Sequence, residues 1–159
     1  MKHKLLTILI IFLLGWFSHS AYTINSIEIP ASFLGLNASE IASLSNHIEE
    51  SQIHVYKDRV VIELNKPYWS TFANTNSMDP VIDENSNGIE IKPYSEAQLT
   101  VGDVVSYKYN DKLIIHRIVE IDNDPNGWYA ITKGDNNTFT DPEKVRFNQI
   151  EGILVGILY

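Results

Sequence analysis

The chain has no cysteine, which at once removes a disulfide framework, thiol catalysis and any thiolate metal site. Its five histidines, His3, His19, His47, His54 and His116, are scattered, and no pair stands at H-x-x-x-H spacing. No metal and no other cofactor is therefore expected. Basic residues are the minority, 12 Lys and Arg against 20 Asp and Glu, and no basic stretch alternates with aromatics. Nucleic acid is accordingly not expected as a partner. There is no internal repeat and no low-complexity linker. What remains, 44% hydrophobic and 20% charged residues in a chain of 159, is the composition of a globular fold. That length has room for one membrane anchor and one domain of about 100 to 150 residues.

The N-terminus carries the one long apolar run. Lys2 and Lys4 precede Leu5 to Phe17. This core is short for a spanning helix, which needs roughly 17 to 25 residues. Counting Ser18 to Tyr22 as an interfacial end, with Trp16 and Tyr22 as belt residues, makes residues 1–22 a single membrane anchor. The alternative is a cleaved signal peptide, with Ser18 and Ser20 as the small residues at −3 and −1. In either case positive charge precedes the run and none follows until Lys57. The positive-inside bias then puts the N-terminus in the cytoplasm and residues 23–159 outside it, on a single-pass protein of the cell membrane.

Residues 23–73 read as a helix-hairpin lead. Pro30 and Gly35 break the first part, and Asn37 to Glu40 has capping-box spacing that opens a short amphipathic helix with Ile41, Leu44 and Ile48 on its apolar face. Ile53 to Tyr56, Lys57-Asp58 and Arg59 to Leu64 form a hairpin, and Tyr68, Trp69 and Phe72 an aromatic cluster. Further strands are expected at Ile89 to Ile91, Val104 to Tyr109, Lys112 to Ile121, Trp128 to Thr132 and Ile150 to Leu158, with turns at Asn110-Asp111 and Asp122 to Gly127. Many short strands with regular turns point to one mostly β domain, a coiled sheet or partly open barrel with one short helix.

Three blocks hold the candidate chemistry. A serine hydroxyl is a weak nucleophile that needs a neighbouring base, and the base needs a third group to hold its tautomer. Ser77, in Asn76-Ser77-Met78-Asp79-Pro80, is a turn residue when taken alone. Its setting, between an aromatic stretch and Val81-Ile82, is that of a side chain displayed at the rim of an apolar cleft. Thr75 is placed to lend a hydroxyl to an oxyanion hole. His116 interrupts an apolar strand, sharing a face with Ile114 and Ile118, where a neutral imidazole makes a fair general base. Arg117 alternates to the opposite face and reads as structural. Asp135 and Asp141 lie in a turn and at a loop start, and spacing alone does not choose between them as the orienting carboxylate.

In this order the blocks resemble the type I signal peptidases, in the branch shared by archaea and the endoplasmic reticulum. The family's S-M-x-P block is matched by Ser77 to Pro80, its G-D-V/I-V strand by Gly102 to Val105, and its base block by His116 to Val119. In the bacterial branch a lysine stands at the base position. The K-G-D-N-N block and the aspartate six residues beyond its own are matched by Lys133 to Asn137 and Asp141. The closing G-x-x-V-G-x-x-Y pattern is matched by Gly152 to Tyr159. The similarity runs from about Thr75 to the end of the chain. Two features depart from it: Asn76 stands where the family usually has glycine, and the lead before the serine is longer than usual.

The resemblance implies a membrane-anchored serine endopeptidase that removes signal peptides from exported preproteins, cutting after small residues. Ser77 would be the nucleophile, His116 the base, Asp141 the orienting acid with Asp135 in support, and the main-chain N–H of Ser77 with Thr75 the oxyanion donors. It implies signal-peptide-bearing preproteins and the lipid bilayer as partners, with accessory membrane subunits left open. The competing expectation is a non-catalytic extracytoplasmic binding or assembly module on the same scaffold.

Overall fold

Alternation of apolar and polar side chains becomes nine strands in a computed structural model, which describes residues 41–159. In chain order they are β1 (Ile53–Val55), β2 (Val60–Ile62), β3 (Pro67–Thr71), β4 (Asn87–Ile91), β5 (Val104–Tyr109), β6 (Lys112–Asp124), β7 (Gly127–Lys133), β8 (Val145–Arg146) and β9 (Ile150–Leu158). β1 and β2 make a separate hairpin, closed by Tyr56 N–H donating to Arg59 O at 2.8 Å. The other seven form one antiparallel sheet in the order β3-β4-β9-β5-β6-β7-β8, open at β3 and β8. The described domain is mostly β, as expected. The anchor expected at residues 1–22 lies outside the described residues, and among those described no helix is long and apolar enough to cross a membrane.

Turn chemistry sets the register. Asn110 and Asp111 both take positive φ, 48° and 60°, as a two-residue hairpin turn requires, and so pair Tyr109 with Lys112 and Val105 with His116. β5 lies mid-sheet and is buried on both faces. Val105 and Tyr107 pack with Ile118, Ala130, Ile150 and Ile153 on one side, and Val104 packs with Met78, Ile82 and Leu154 on the other. Each buried Val, Leu, Ile or Met among them contributes about 1.5–3 kcal/mol.

Three expectations need correction. The helix through Ile41, Leu44 and Ile48 does not form in its described part, residues 41–48; its capping residues 37–40 lie outside the described chain. Helical geometry among the described residues is confined to short 3-10 turns at Glu50–Gln52, Glu96–Gln98 and Phe147–Gln149. The cause is tertiary. Asp103, fully buried, accepts from Ser45 N–H at 3.1 Å, and His47 Nε2 lies 3.0 Å from it. Ser45 Oγ meets Thr100 Oγ1, and Arg117 donates to Ala42 O at 3.4 Å. Polar groups in 42–47 are thus drawn onto the sheet. Next, Tyr68, Trp69 and Phe72 are no cluster, because strand geometry turns neighbours to opposite faces. Tyr68 points inward to buried Glu90 at 2.9 Å, Phe72 packs beside the Met78 cluster, and Trp69 stands 57% exposed. Finally, β6 runs on to Asp124, so the following turn is shorter than Asp122 to Gly127, and the two-residue β8 had no periodicity to announce it.

Asp103 also accepts from Thr100 N–H at 2.9 Å and Thr100 Oγ1 at 3.3 Å. Asp103→Ala removes the shared acceptor of these part-buried donors, so a loss of about 1–2 kcal/mol is expected. The measurements are a melting curve and amide exchange, with Ser45 and Thr100 losing protection first. Unchanged protection at Ser45 would mean that Asp103 does not hold the 41–47 segment.

Candidate active site

β6 has different neighbours along its length. Arg117 pairs with both β5 and β7, the rest of the strand to Asp124 pairs with β7, and Lys112 to His116 pair with β5 alone. The free edge of that stretch forms one wall of a cleft of about 610 Å³. The opposite wall comes from Phe72, Thr75, Ser77, Met78 and Ile82.

The serine loop is held by three devices. Asn76 takes φ 58°, the left-handed conformation that asparagine tolerates better than most residues. Met78, 3% exposed, anchors the following turn, with Val81 and Ile82 N–H donating to its carbonyl at 3.2 and 3.1 Å. The 134–136 block then clamps the loop from outside. Asn136 N–H donates to Ser77 O at 3.0 Å, and Asn136 Nδ2 donates to Asn76 O at 2.9 Å. Gly134 comes so close that a Cβ there would sit 2.5 Å from Ser77 O, so this position requires glycine.

Ser77, His116 and Asp141 form one chain of hydrogen bonds. Ser77 Oγ lies 3.1 Å from His116 Nε2, and His116 Nδ1 lies 2.7 Å from Asp141 Oδ2. Thr75 Oγ1 is 3.1 Å from Ser77 Oγ. His116 is 7% exposed, shielded by the apolar faces of β5 and β6. Burial pushes the Asp141 carboxyl up, but the bonds from His116, Thr132 and Tyr107 outweigh it and hold the group below its usual value. The linked stability is present above the usual carboxylate pKa and is lost as the pH falls through the folded-state value. The arrangement can take a proton from a hydroxyl and keep the imidazole in one tautomer.

Asp135 does something else. It receives Arg117 Nε and Nη2 at 2.7 and 2.6 Å, a bidentate pair with both side chains about nine-tenths buried. Arg117 also donates to Gly102 O at 2.7 Å, so it ties β6 to the turn before β5 and to the block that clamps Ser77. Asp135 is therefore engaged by Arg117, while Asp141 meets His116.

Sequence reasoning passed over Tyr107 and Thr132. Tyr107 OH donates to Asp141 Oδ2 at 2.9 Å, and Thr132 Oγ1 does so at 2.6 Å. A signal for the first was present: the Asn110-Asp111 turn sets the β5–β6 register, which puts Val105 opposite His116 and Tyr107 two residues along the same face. Thr132 had no comparable signal, because a register shift between Ile118 and Glu120 interrupts the β6–β7 pairing. Among the described residues no group of acidic and histidine side chains is arranged to hold a metal ion. Neither a protein-family model nor a curated protein matches the chain.

Proposed function

We propose that the protein is a membrane-anchored serine endopeptidase of the signal-peptidase kind, removing N-terminal signal peptides from exported preproteins. The observation that carries this reading is the Ser77–His116–Asp141 hydrogen-bond chain, set at a cleft with a free strand edge. The open antiparallel sheet is compatible with the coiled, partly open barrel scaffold that the resemblance implies.

Ser77 Oγ attacks the scissile carbonyl carbon as His116 Nε2 takes the hydroxyl proton. The oxyanion is met by the main-chain N–H of Ser77 and by Thr75. Collapse breaks the C–N bond, His116 returns the proton to the leaving amine, and an acyl-enzyme remains. Water, deprotonated by the same imidazole, then releases the acid and restores Ser77. Asp141 orients the ring and stabilises the imidazolium. A substrate segment adds as a strand along Lys112 to Ile115, where main-chain bonds give affinity and two shallow pockets select small residues at −1 and −3. Anchoring enzyme and preprotein in one bilayer raises their effective concentration, so weak intrinsic binding suffices. Trp69, exposed beside the β1–β2 hairpin, suits contact with the bilayer interface.

The test is incubation of the full chain in lipid vesicles with a model preprotein, followed by mapping of the new N-terminus. Cutting after a small residue is expected, and it disappears when −1 is made bulky. A folded protein that leaves the preprotein intact, with or without other membrane subunits, would favour the binding-module reading.

A further inference from the structure

We infer that Tyr107 and Thr132 are positioning residues, which fix the rotation of the Asp141 carboxylate and through it aim His116 Nε2 at Ser77. The inference rests on the peptidase reading for its consequence, though the geometry stands without it.

Asp141 lies outside the strands, in the loop between β7 and β8, tied at its main chain by Asp141 N–H donating to Thr132 O at 2.8 Å. That bond places the residue but leaves the carboxylate torsion soft, since the terminal torsion of aspartate is broad. Three donors then converge on the single oxygen Oδ2: Thr132 Oγ1 at 2.6 Å, His116 Nδ1 at 2.7 Å and Tyr107 OH at 2.9 Å. Each donor comes from a different strand, β7, β6 and β5, and these strands are neighbours in the sheet. Ladder hydrogen bonds fix the spacing of the donors, so together they define one site for the oxygen and one orientation for the group behind it.

Both hydroxyls are sealed in, Tyr107 at 2% and Thr132 at 0% exposure. Thr132 Oγ1 also lies 3.2 Å from the Tyr107 oxygen, and its single proton favours the closer Asp141 Oδ2. Donors aimed at an ionised oxygen favour its charged form. A carboxylate kept charged and aligned requires the proton of His116 to sit on Nδ1, leaving the Nε2 lone pair for the serine hydroxyl. Burial, and after it the adjacent Asp141 charge, raises the Tyr107 phenol well above its usual range against the opposing Thr132 bond, so the phenol remains a donor. A buried hydroxyl needs a partner for structural reasons alone. What separates positioning from mere satisfaction is whether loss of the hydroxyl reaches the imidazole.

The experiment uses the full chain in detergent micelles, with Tyr107→Phe, Thr132→Val and the conservative Thr132→Ser. Cleavage kinetics on a model preprotein are expected to show kcat reduced about tenfold by Tyr107→Phe and by Thr132→Val, with KM unchanged and Thr132→Ser within about twofold of wild type. The second readout needs no activity. In a Ser77→Ala background, the low-field NMR resonance of the His116 Nδ1 proton is expected to be sharp, to persist in Thr132→Ser, and to be lost to exchange in the other two. Full kcat in both Tyr107→Phe and Thr132→Val, or a resonance unmoved in both, would overturn the inference. Loss of the resonance alongside a wild type that cuts nothing would uphold the positioning of Asp141 and reject the peptidase reading.

Discussion

Replacing Ser77 by alanine is expected to lower kcat for preprotein cleavage by about 10⁴- to 10⁶-fold, with little change in KM. The substitution removes the atom that would form the acyl bond and little else. Ser77 is only partly buried, and the latch from Asn136 reaches its main-chain oxygen, so the loop keeps its place. His116→Ala should cost a similar factor, because without Nε2 at 3.1 Å the hydroxyl has no acceptor for its proton. The decisive measurement is the double variant. Groups that act as one unit are not additive, so Ser77→Ala with His116→Ala should be no slower than either alone. Residual cutting that fell twice, once for each substitution, would mean that the two residues serve separate roles.

The second large effect separates the two aspartates. Asp141→Asn should lower kcat by about 10⁴-fold while leaving the fold intact, since the amide is close in size to the carboxylate and offers His116 Nδ1 the wrong hydrogen-bonding group. Asp135→Ala should act on stability instead. It leaves the buried Arg117 guanidinium without its bidentate partner, at a cost of about 3 kcal/mol, and loosens the clamp over the serine loop. Melting curves and rates per folded molecule should therefore move in opposite patterns for the two variants. A large rate loss with unchanged stability in Asp135→Ala would reverse the assignment.

Parts of this arrangement were legible along the chain because they depend on local chemistry. β5 was expected at Val104 to Tyr109 and β9 at Ile150 to Leu158, as observed, because apolar and β-branched residues there are bounded by turn formers. The β1–β2 hairpin followed from two such runs around Lys57-Asp58. Alternation also put His116 and Arg117 on opposite faces, and the structure gives them separate partners, Ser77 and Asp141 for one, Asp135 for the other. Elsewhere local signals misled. Ile41, Leu44 and Ile48 carry helical spacing, yet the buried Asp103 and Arg117 side chains take hold of the backbone between them, and a short amphipathic helix is marginal by itself. Tyr68 and Trp69 are turned to opposite faces of β3, and Phe72 lies just past its end beside Met78.

The choice between Asp135 and Asp141 marks the boundary most clearly. Six residues apart in loop-forming sequence, they are chemically equal along the chain. The sequence alone determined which residue types were on hand and which strands would carry or face them, since turn residues and two-residue alternation act over a few positions. Only the tertiary structure decided that Asp141 meets His116 while Asp135 meets Arg117. That outcome depends on where β5, β6 and β7 lie beside one another and on which loop the Asp141–Thr132 main-chain bond draws inward. Contacts between residues distant along the chain are set by the packing of the whole sheet, and no local pattern encodes them.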